Sequence, residues 1–153
     1  MPLEQQNKRI AFLVLRLFLG LFWCLQCFYK LWDPESRTGS FQNLRIWTHH
    51  TVASFASTPL PAWAVSPYAA VVPYVEAALG LLLLFGFRLR GTLVFACVYL
   101  VSLDVGLLFQ GKHDTVANNT LYLFAMLWAL LLEPYGRGWS IDAARQPPTS
   151  VAG

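Results

Sequence analysis

The chain has 153 residues, of which 56% are hydrophobic and only 12% are charged, and its mean hydropathy is +0.48. Soluble globular domains carry about 25% charged residues, so this composition excludes an ordinary soluble domain. The net charge of +3 comes from basic residues in short segments between apolar runs, so it gives no reason to expect a nucleic-acid partner. We expect the lipid bilayer to be the main environment of the chain.

Four apolar runs approach or exceed the length of about 20 residues that a helix needs to cross a bilayer. They predict spans at residues 9–32, 66–87, 91–110 and 116–133. The first run is too long for a signal-peptide core and has no small-residue cleavage site behind it, so we expect it to be retained. The chain is therefore predicted to form an all-α, integral membrane four-helix bundle, with one domain over residues 1–143 and a disordered tail at 144–153.

The basic residues predict the orientation, because Lys and Arg are enriched in short cytoplasmic segments. On one side of the spans lie Lys8, Arg9, Arg88, Arg90, Arg137 and Arg145. On the other side lie Lys30, Arg37, Arg45 and Lys112. The first group is larger and more tightly clustered. We therefore predict a multi-pass protein of the bacterial inner (plasma) membrane, with both termini in the cytoplasm.

The connection at residues 33–64 is the only long one, and it lies on the predicted outer side. Its apolar residues have partly helical spacing, which favours a short helix in the plane of the interface. Trp47 and Trp63 are predicted to be headgroup-level anchors of this segment. The other two connections, FRLRG and GKHDT, are so short that the helices they join are expected to be antiparallel neighbours.

Charged residues inside the apolar runs are the strongest functional signal. A charge at membrane depth costs at least about 2.5–3.5 kcal/mol, so it needs a partner or a wet cavity. Counting the helical rise from the inner boundary puts Arg16 at about 10 Å and Glu76 at about 17 Å. This offset predicts an Arg16–Glu76 ion pair between the first two spans. Such a pair either fixes helix packing or binds a polar headgroup or a quinone oxygen.

Asp104 lies deeper from the inner side, at about 20 Å, and so belongs to the outer half. Lys30 is predicted to reach down to it, directly or through water or Gln26. Alternatively Asp104 is protonated, since burial disfavours a carboxylate, and could donate a proton to a quinone. Asp104 and Glu76 are thus the candidate catalytic residues, and the candidate substrate-binding residues are Arg16, Gln26 and Lys30. Further polar groups that could line the same outer half are Ser102, Asn118 and Asn119.

One face of the first span carries residues at four-three spacing, namely Arg16, Gly20, Trp23, Cys27 and Lys30. A charge, a glycine and a tryptophan on one stripe predict that this face points into the bundle. The glycine predicts a close helix contact at that level.

Cys24 and Cys27 form a C-x-x-C pattern, the spacing of thiol–disulfide enzymes. Those enzymes need partner cysteines, and Cys97 lies inside the third span. Thiol chemistry and a role as small apolar residues both remain open. All three histidines, at positions 49, 50 and 113, fall outside the spans, so we expect no haem held by two histidines and no metal site.

Taken together, the segments resemble the DoxX/DoxD family of small four-span bacterial membrane proteins. The resemblance rests on LVLRLFLGLFWCLQCFYKLWD, on YVEAALGLLLLFGFRLRG and on the closing GRGWSIDA. The positions that match the family's pattern are Arg16, Gly20, Lys30, Glu76, Gly80, Arg88 and Asp142. The resemblance implies a four-helix bundle and association with redox partners, one family member being a subunit of thiosulfate:quinone oxidoreductase.

Sequence alone thus favours a membrane subunit that couples an oxidoreductase to the quinone pool, with partner subunits and a quinone as the expected ligand. One alternative is a non-catalytic anchor or assembly subunit whose buried charges only fix packing. A further alternative is a thiol/disulfide quinone reductase that uses Cys24 and Cys27.

Overall fold

Five helices account for most of the computed structural model, which describes residues 3–33, 38–136 and 140–141. The helices are α1 (Leu3–Leu31), α2 (Phe41–Ser54), α3 (Ala62–Phe85), α4 (Leu89–Phe109) and α5 (His113–Gly136). All except α2 are long and apolar enough to cross a membrane. The predicted all-α, four-helix membrane bundle is confirmed, and the protein is a multi-pass membrane protein.

The spanning helices begin earlier than the hydropathy pattern predicts. The pattern marks only the apolar part of each helix, whereas the backbone continues into polar flanking turns. In α1, for example, Lys8 Nζ and Glu4 Oε1 lie 2.6 Å apart, one helical turn from each other. Pairs at this spacing support a helix end in water, so the helix extends beyond the apolar run.

The four spanning helices form a ring. α1 packs most extensively against α3 and then against α5, while α4 packs along α5 and, over a shorter length, along α3. The two short connections therefore do join neighbouring helices. Between α3 and α4 the chain turns at Gly86, whose φ of 71° is left-handed, a conformation that glycine adopts without steric cost.

α1 and α3 approach closely at two glycines. A Cβ atom on Gly80 would lie 2.9 Å from the Gly20 carbonyl oxygen and 2.8 Å from the Cys24 backbone nitrogen. A Cβ on Gly20 would lie 2.8 Å from Cγ of Leu84. The predicted close contact at Gly20 is confirmed, and Gly80 is its counterpart on α3.

The connection between α1 and α3 folds back over the bundle. A short antiparallel hairpin, β1 (Trp32–Asp33) and β2 (Thr38–Gly39), leads into α2. Ser40 caps α2 by accepting a hydrogen bond from the Asn43 backbone N–H at 3.2 Å. The Asn43 side chain donates to the Leu31 carbonyl oxygen at 3.0 Å. These bonds fix α2 to the end of α1, and the predicted short helix in this connection is confirmed.

Several predictions concern parts of the chain outside the described residues. The disordered tail at 144–153 is one of them. The remaining positions of this kind are Arg37, Arg137, Asp142 and Arg145.

Candidate functional site: a cavity beneath α2

A cavity of about 410 Å³ lies among the spanning helices at the end covered by α2, which is the outer end in the predicted topology. Small-molecule sites usually measure about 300–1,000 Å³ and are mainly apolar with a few placed polar groups. The apolar and aromatic part of the lining includes Phe22, Trp23, Trp47, Phe55, Tyr68 and Leu103. The cavity thus has the size and surface of a site for a small, largely apolar molecule.

An ion pair forms part of the cavity wall. Lys30 Nζ lies 2.5 Å from Glu76 Oε2, and the two side chains are only 10% and 4% exposed. The same ammonium donates to the Gln26 carbonyl oxygen at 3.1 Å and lies 5.0 Å from the centre of the Trp47 ring, within cation–π range. The two charges compensate each other, so the wall is polar without a net charge.

The predicted Arg16–Glu76 pair is wrong, because Glu76 pairs with Lys30. Arg16 is buried nearer the opposite end, where a Cβ atom on Gly86 would lie 2.8 Å from its Nη1. Counting residues gave the depth of each Cα but not the direction of the side chain. The long aliphatic stem of Lys30 lets its ammonium reach inward from the helix end.

The predicted contact between Lys30 and Asp104 is also wrong. Asp104 is half-buried on α4 and accepts a hydrogen bond from Asn119 Nδ2 at 2.6 Å. Asn119 lines the cavity, whereas Asp104 is not among the lining residues. Of the two candidate catalytic carboxylates, Glu76 therefore contacts the cavity, and Asp104 reaches it through Asn119.

The candidate binding residues also divide into those that line the cavity and one that does not. Gln26 and Lys30 line the cavity, and Arg16 does not. The predicted inward face of the first span is confirmed at its buried members, Arg16, Gly20 and Trp23. Ser102, which was expected in the outer half, shares a hydrogen bond of 2.6 Å with the hydroxyl of Tyr68, a lining residue.

Two buried polar atoms of lining residues have no hydrogen-bond partner among the described residues, Trp23 Nε1 and Gln110 Oε1. Trp23 is only 1% exposed. An unpaired buried donor or acceptor costs about 1–3 kcal/mol. Both atoms have almost no accessible surface, so they lie behind the cavity wall and not on it.

Sequence reasoning missed the position of Trp47. It was predicted to be a headgroup anchor, but it is half-buried and contributes to the cavity together with Thr51, one turn further along α2. This four-residue spacing was the available signal. Trp63, in contrast, is 80% exposed. Glu133 on α5 was also missed because it stands at the predicted end of a span, yet it is only 2% exposed.

The cysteines and histidines do not line the cavity, although Cys27 lies within electrostatic range of the Lys30–Glu76 pair. Cys24 and Cys27 are half-buried free thiols, and Cys24 packs against Gly80 where α1 and α3 meet. His49 and His50 are exposed on α2. In the described ranges, no group of three or more His, Cys, Asp or Glu residues is placed to hold a metal ion.

Fold and site together define a multi-pass membrane protein with a neutral, mainly apolar cavity at one end of its bundle. The family model of the methylamine utilisation protein MauE matches residues 8–116, so the chain belongs to that family. The match covers most of α1, all of α2 to α4 and the start of α5, and it includes the cavity-lining residues except Asn119. No curated protein matches the chain, and no solved structure does.

The resemblance to the DoxX/DoxD family is therefore wrong, and the expectation of a thiosulfate:quinone oxidoreductase subunit is withdrawn with it. Some of the residues that carried it have packing roles that any four-span bundle can use. Gly20 and Gly80 let two helices approach, and Arg88 belongs to a short turn. Such positions are shared by unrelated membrane bundles because the same packing problem recurs.

Proposed function

We propose that the chain is an accessory membrane protein of a methylamine-utilisation redox system in the bacterial inner membrane, acting with protein partners. Membership of the MauE family supports the system, and four apolar helices support the membrane location. The association of this family with a methylamine-utilisation system also supports protein partners.

The working site in this proposal is the cavity beneath α2, and the observation that carries it is the buried Lys30–Glu76 pair on the cavity wall. Removing two charges from water is costly, and well-packed apolar residues often stabilise a protein as well or better. A pair that served packing alone would have no need of a cavity beside it. Its position therefore favours a ligand site over a purely structural anchor.

The chemistry of the cavity favours an uncharged ring compound with hydrogen-bonding oxygens. The ion pair leaves no net charge for an ionic ligand to balance. The polar lining side chains Thr51 and Asn119 would donate hydrogen bonds to the oxygen atoms of such a ligand. A quinone or quinol headgroup has this chemistry and would reach the cavity from the bilayer. Glu76 and, through Asn119, Asp104 are the carboxylates next to this headgroup.

The proposal can be tested by methylamine-dependent growth of cells that lack the native protein and produce a variant of it instead. Ala69→Phe would fill the cavity from α3, where Ala69 is a buried lining residue. Val98→Phe adds a large side chain at a position on α4 that is 64% exposed, so it is the matched control. We expect Val98→Phe to restore growth and Ala69→Phe to fail while present in the membrane at normal amounts. Normal growth with Ala69→Phe would favour the non-catalytic anchor.

The quinone assignment has a separate test. Two tryptophans, Trp23 and Trp47, line the cavity, so a bound quinone would quench their fluorescence. We expect a short-chain quinone to quench the purified protein saturably and the Ala69→Phe variant only weakly. Quenching of equal, non-saturating strength in both proteins would remove the quinone from the proposal.

A further inference from the structure

A second depression lies on the outside of the bundle, where α2 crosses α3. This groove measures about 530 Å³. Its lining residues include Leu44, Arg45, His49 and Val52 from α2 and Ala70 and Tyr74 from α3. It is separate from the cavity, because the two share no lining residue and the cavity-lining Trp47 and Thr51 lie on another face of α2.

One end of the groove is basic. Arg45 and His49 stand one helical turn apart on α2, and both are exposed. They also border an adjoining depression, so the two side chains form a common rim. The sequence of α2, FQNLRIWTHHTVAS, contains no acidic residue. The rim therefore presents positive charge without a neighbouring carboxylate on its own helix.

The other end of the groove extends into the apolar zone. Ala70 and Tyr74 are 8 and 12 residues beyond Ala62, where α3 begins, which places them about 12 and 18 Å along the helix. Half of a bilayer's hydrocarbon core measures about 15 Å. Tyr74 is 57% exposed, so this end opens on the lipid-facing surface of a spanning helix.

We propose that this groove binds an anionic phospholipid, with the phosphate at Arg45 and His49 and an acyl chain along Ala70 and Tyr74. The order of the two ends matches a phospholipid, whose charged headgroup lies at the interface and whose chain enters the membrane. The planar guanidinium of arginine suits phosphate oxygens.

The lipid would act on the cavity through α2. That helix roofs the cavity with Trp47 and Thr51, and a phospholipid in the groove would join the opposite face of the same helix to α3. A lipid in the groove would therefore hold α2 in place over the cavity. The amount of anionic lipid in the membrane would then determine how readily the cavity opens. The lipid site in the groove does not depend on the identity of the molecule that binds in the cavity.

Native mass spectrometry of the full chain in mild detergent tests the site, with phosphatidylglycerol and phosphatidylcholine of identical acyl chains as probes. One basic residue near a membrane surface favours an anionic lipid about fivefold. We expect at least this preference for phosphatidylglycerol in the native protein and its loss in the Arg45→Gln/His49→Gln variant. The matched control, Arg90→Gln/His50→Gln, removes the same groups from exposed positions outside the groove and is expected to keep the preference.

Two further variants complete the test. Ala70→Phe fills the apolar end and is expected to weaken binding of both lipids. If it has no effect, the site binds only a phosphate group and the proposal is overturned. Arg45→Lys keeps the charge but loses the planar fork, so it should retain part of the preference even if the double variant fails to fold. Equal binding of both lipids to the native protein would also overturn the proposal. Ala69→Phe, which fills the cavity, leaves lipid preference unchanged, so the two sites are tested separately.

Discussion

Removing one member of the Lys30–Glu76 pair should destabilise the protein strongly. The charged atoms lie 2.5 Å apart in side chains that are 10% and 4% exposed, so either single change leaves an uncompensated buried charge. Breaking such a pair costs about 3–5 kcal/mol. We therefore expect losses of this size for Glu76→Gln and for Lys30→Met. The double variant leaves no uncompensated charge at this position and should recover most of either loss.

Denaturant titration in detergent micelles, followed by circular dichroism, gives the unfolding free energy of each single variant and of the double variant. The Lys8–Glu4 pair supplies the control, because its atoms are 2.6 Å apart but its side chains are 35% and 78% exposed. Exposed pairs contribute little to stability, so Glu4→Gln should have a far smaller effect than Glu76→Gln. The reasoning is refuted if the two effects are equal, or if the double variant loses the sum of the two single losses.

Three further changes have defined outcomes. Gly80→Ala should lower the unfolding free energy by about 1–3 kcal/mol, because its Cβ would meet the α1 backbone, whereas Gly91→Ala, with open space around it, should be close to neutral in the same titration. Asp104→Ala should weaken ligand quenching of tryptophan fluorescence several-fold, because the amide that it orients on the cavity wall would lose its acceptor. The Cys24→Ala/Cys27→Ala variant should still support methylamine-dependent growth, since Cys24 packs against a neighbouring helix.

Each of these expectations has an opposing result. Equal stability of the Gly80 and Gly91 variants would mean that α1 and α3 are not in close contact. Unchanged ligand quenching in Asp104→Ala would leave that carboxylate without a role at the cavity. Complete loss of growth in the double cysteine variant, with normal protein amounts, would favour a thiol/disulfide activity.

The membrane fold was predictable because it depends on local properties. Four apolar runs determine the spans, and two short connections determine which helices are neighbours. The close helix contact at Gly20 was also predictable, because a glycine on the inward-facing stripe leaves room for another backbone. Bundle, spans and one close helix contact therefore follow from composition and spacing alone.

The partner of Glu76 was not predictable in the same way. Axial depth favoured Arg16, but the choice depends on helix rotation and on the reach of a lysine from the helix end. Lys30 reaches Glu76 across 46 positions of sequence. The spacing of residues within one helix does not show which residues of two different helices are in contact.

The contribution of α2 to the cavity wall was not predictable from the sequence for a related reason. Trp47 faces inward only because the hairpin and the Asn43 side chain fix α2 to the end of α1. Those bonds join residues on either side of a turn, and the sequence shows no pattern for them.

The most direct test of the cavity as a ligand site is identification of what it holds. The protein, purified in mild detergent, would be extracted and its released small molecules quantified by mass spectrometry, in parallel with Ala69→Phe. The native protein should yield an uncharged ring compound with hydrogen-bonding oxygens at close to one per chain, and the variant should yield very little. Equal amounts from both proteins, or only phospholipid from the native protein, would contradict a ligand-binding cavity.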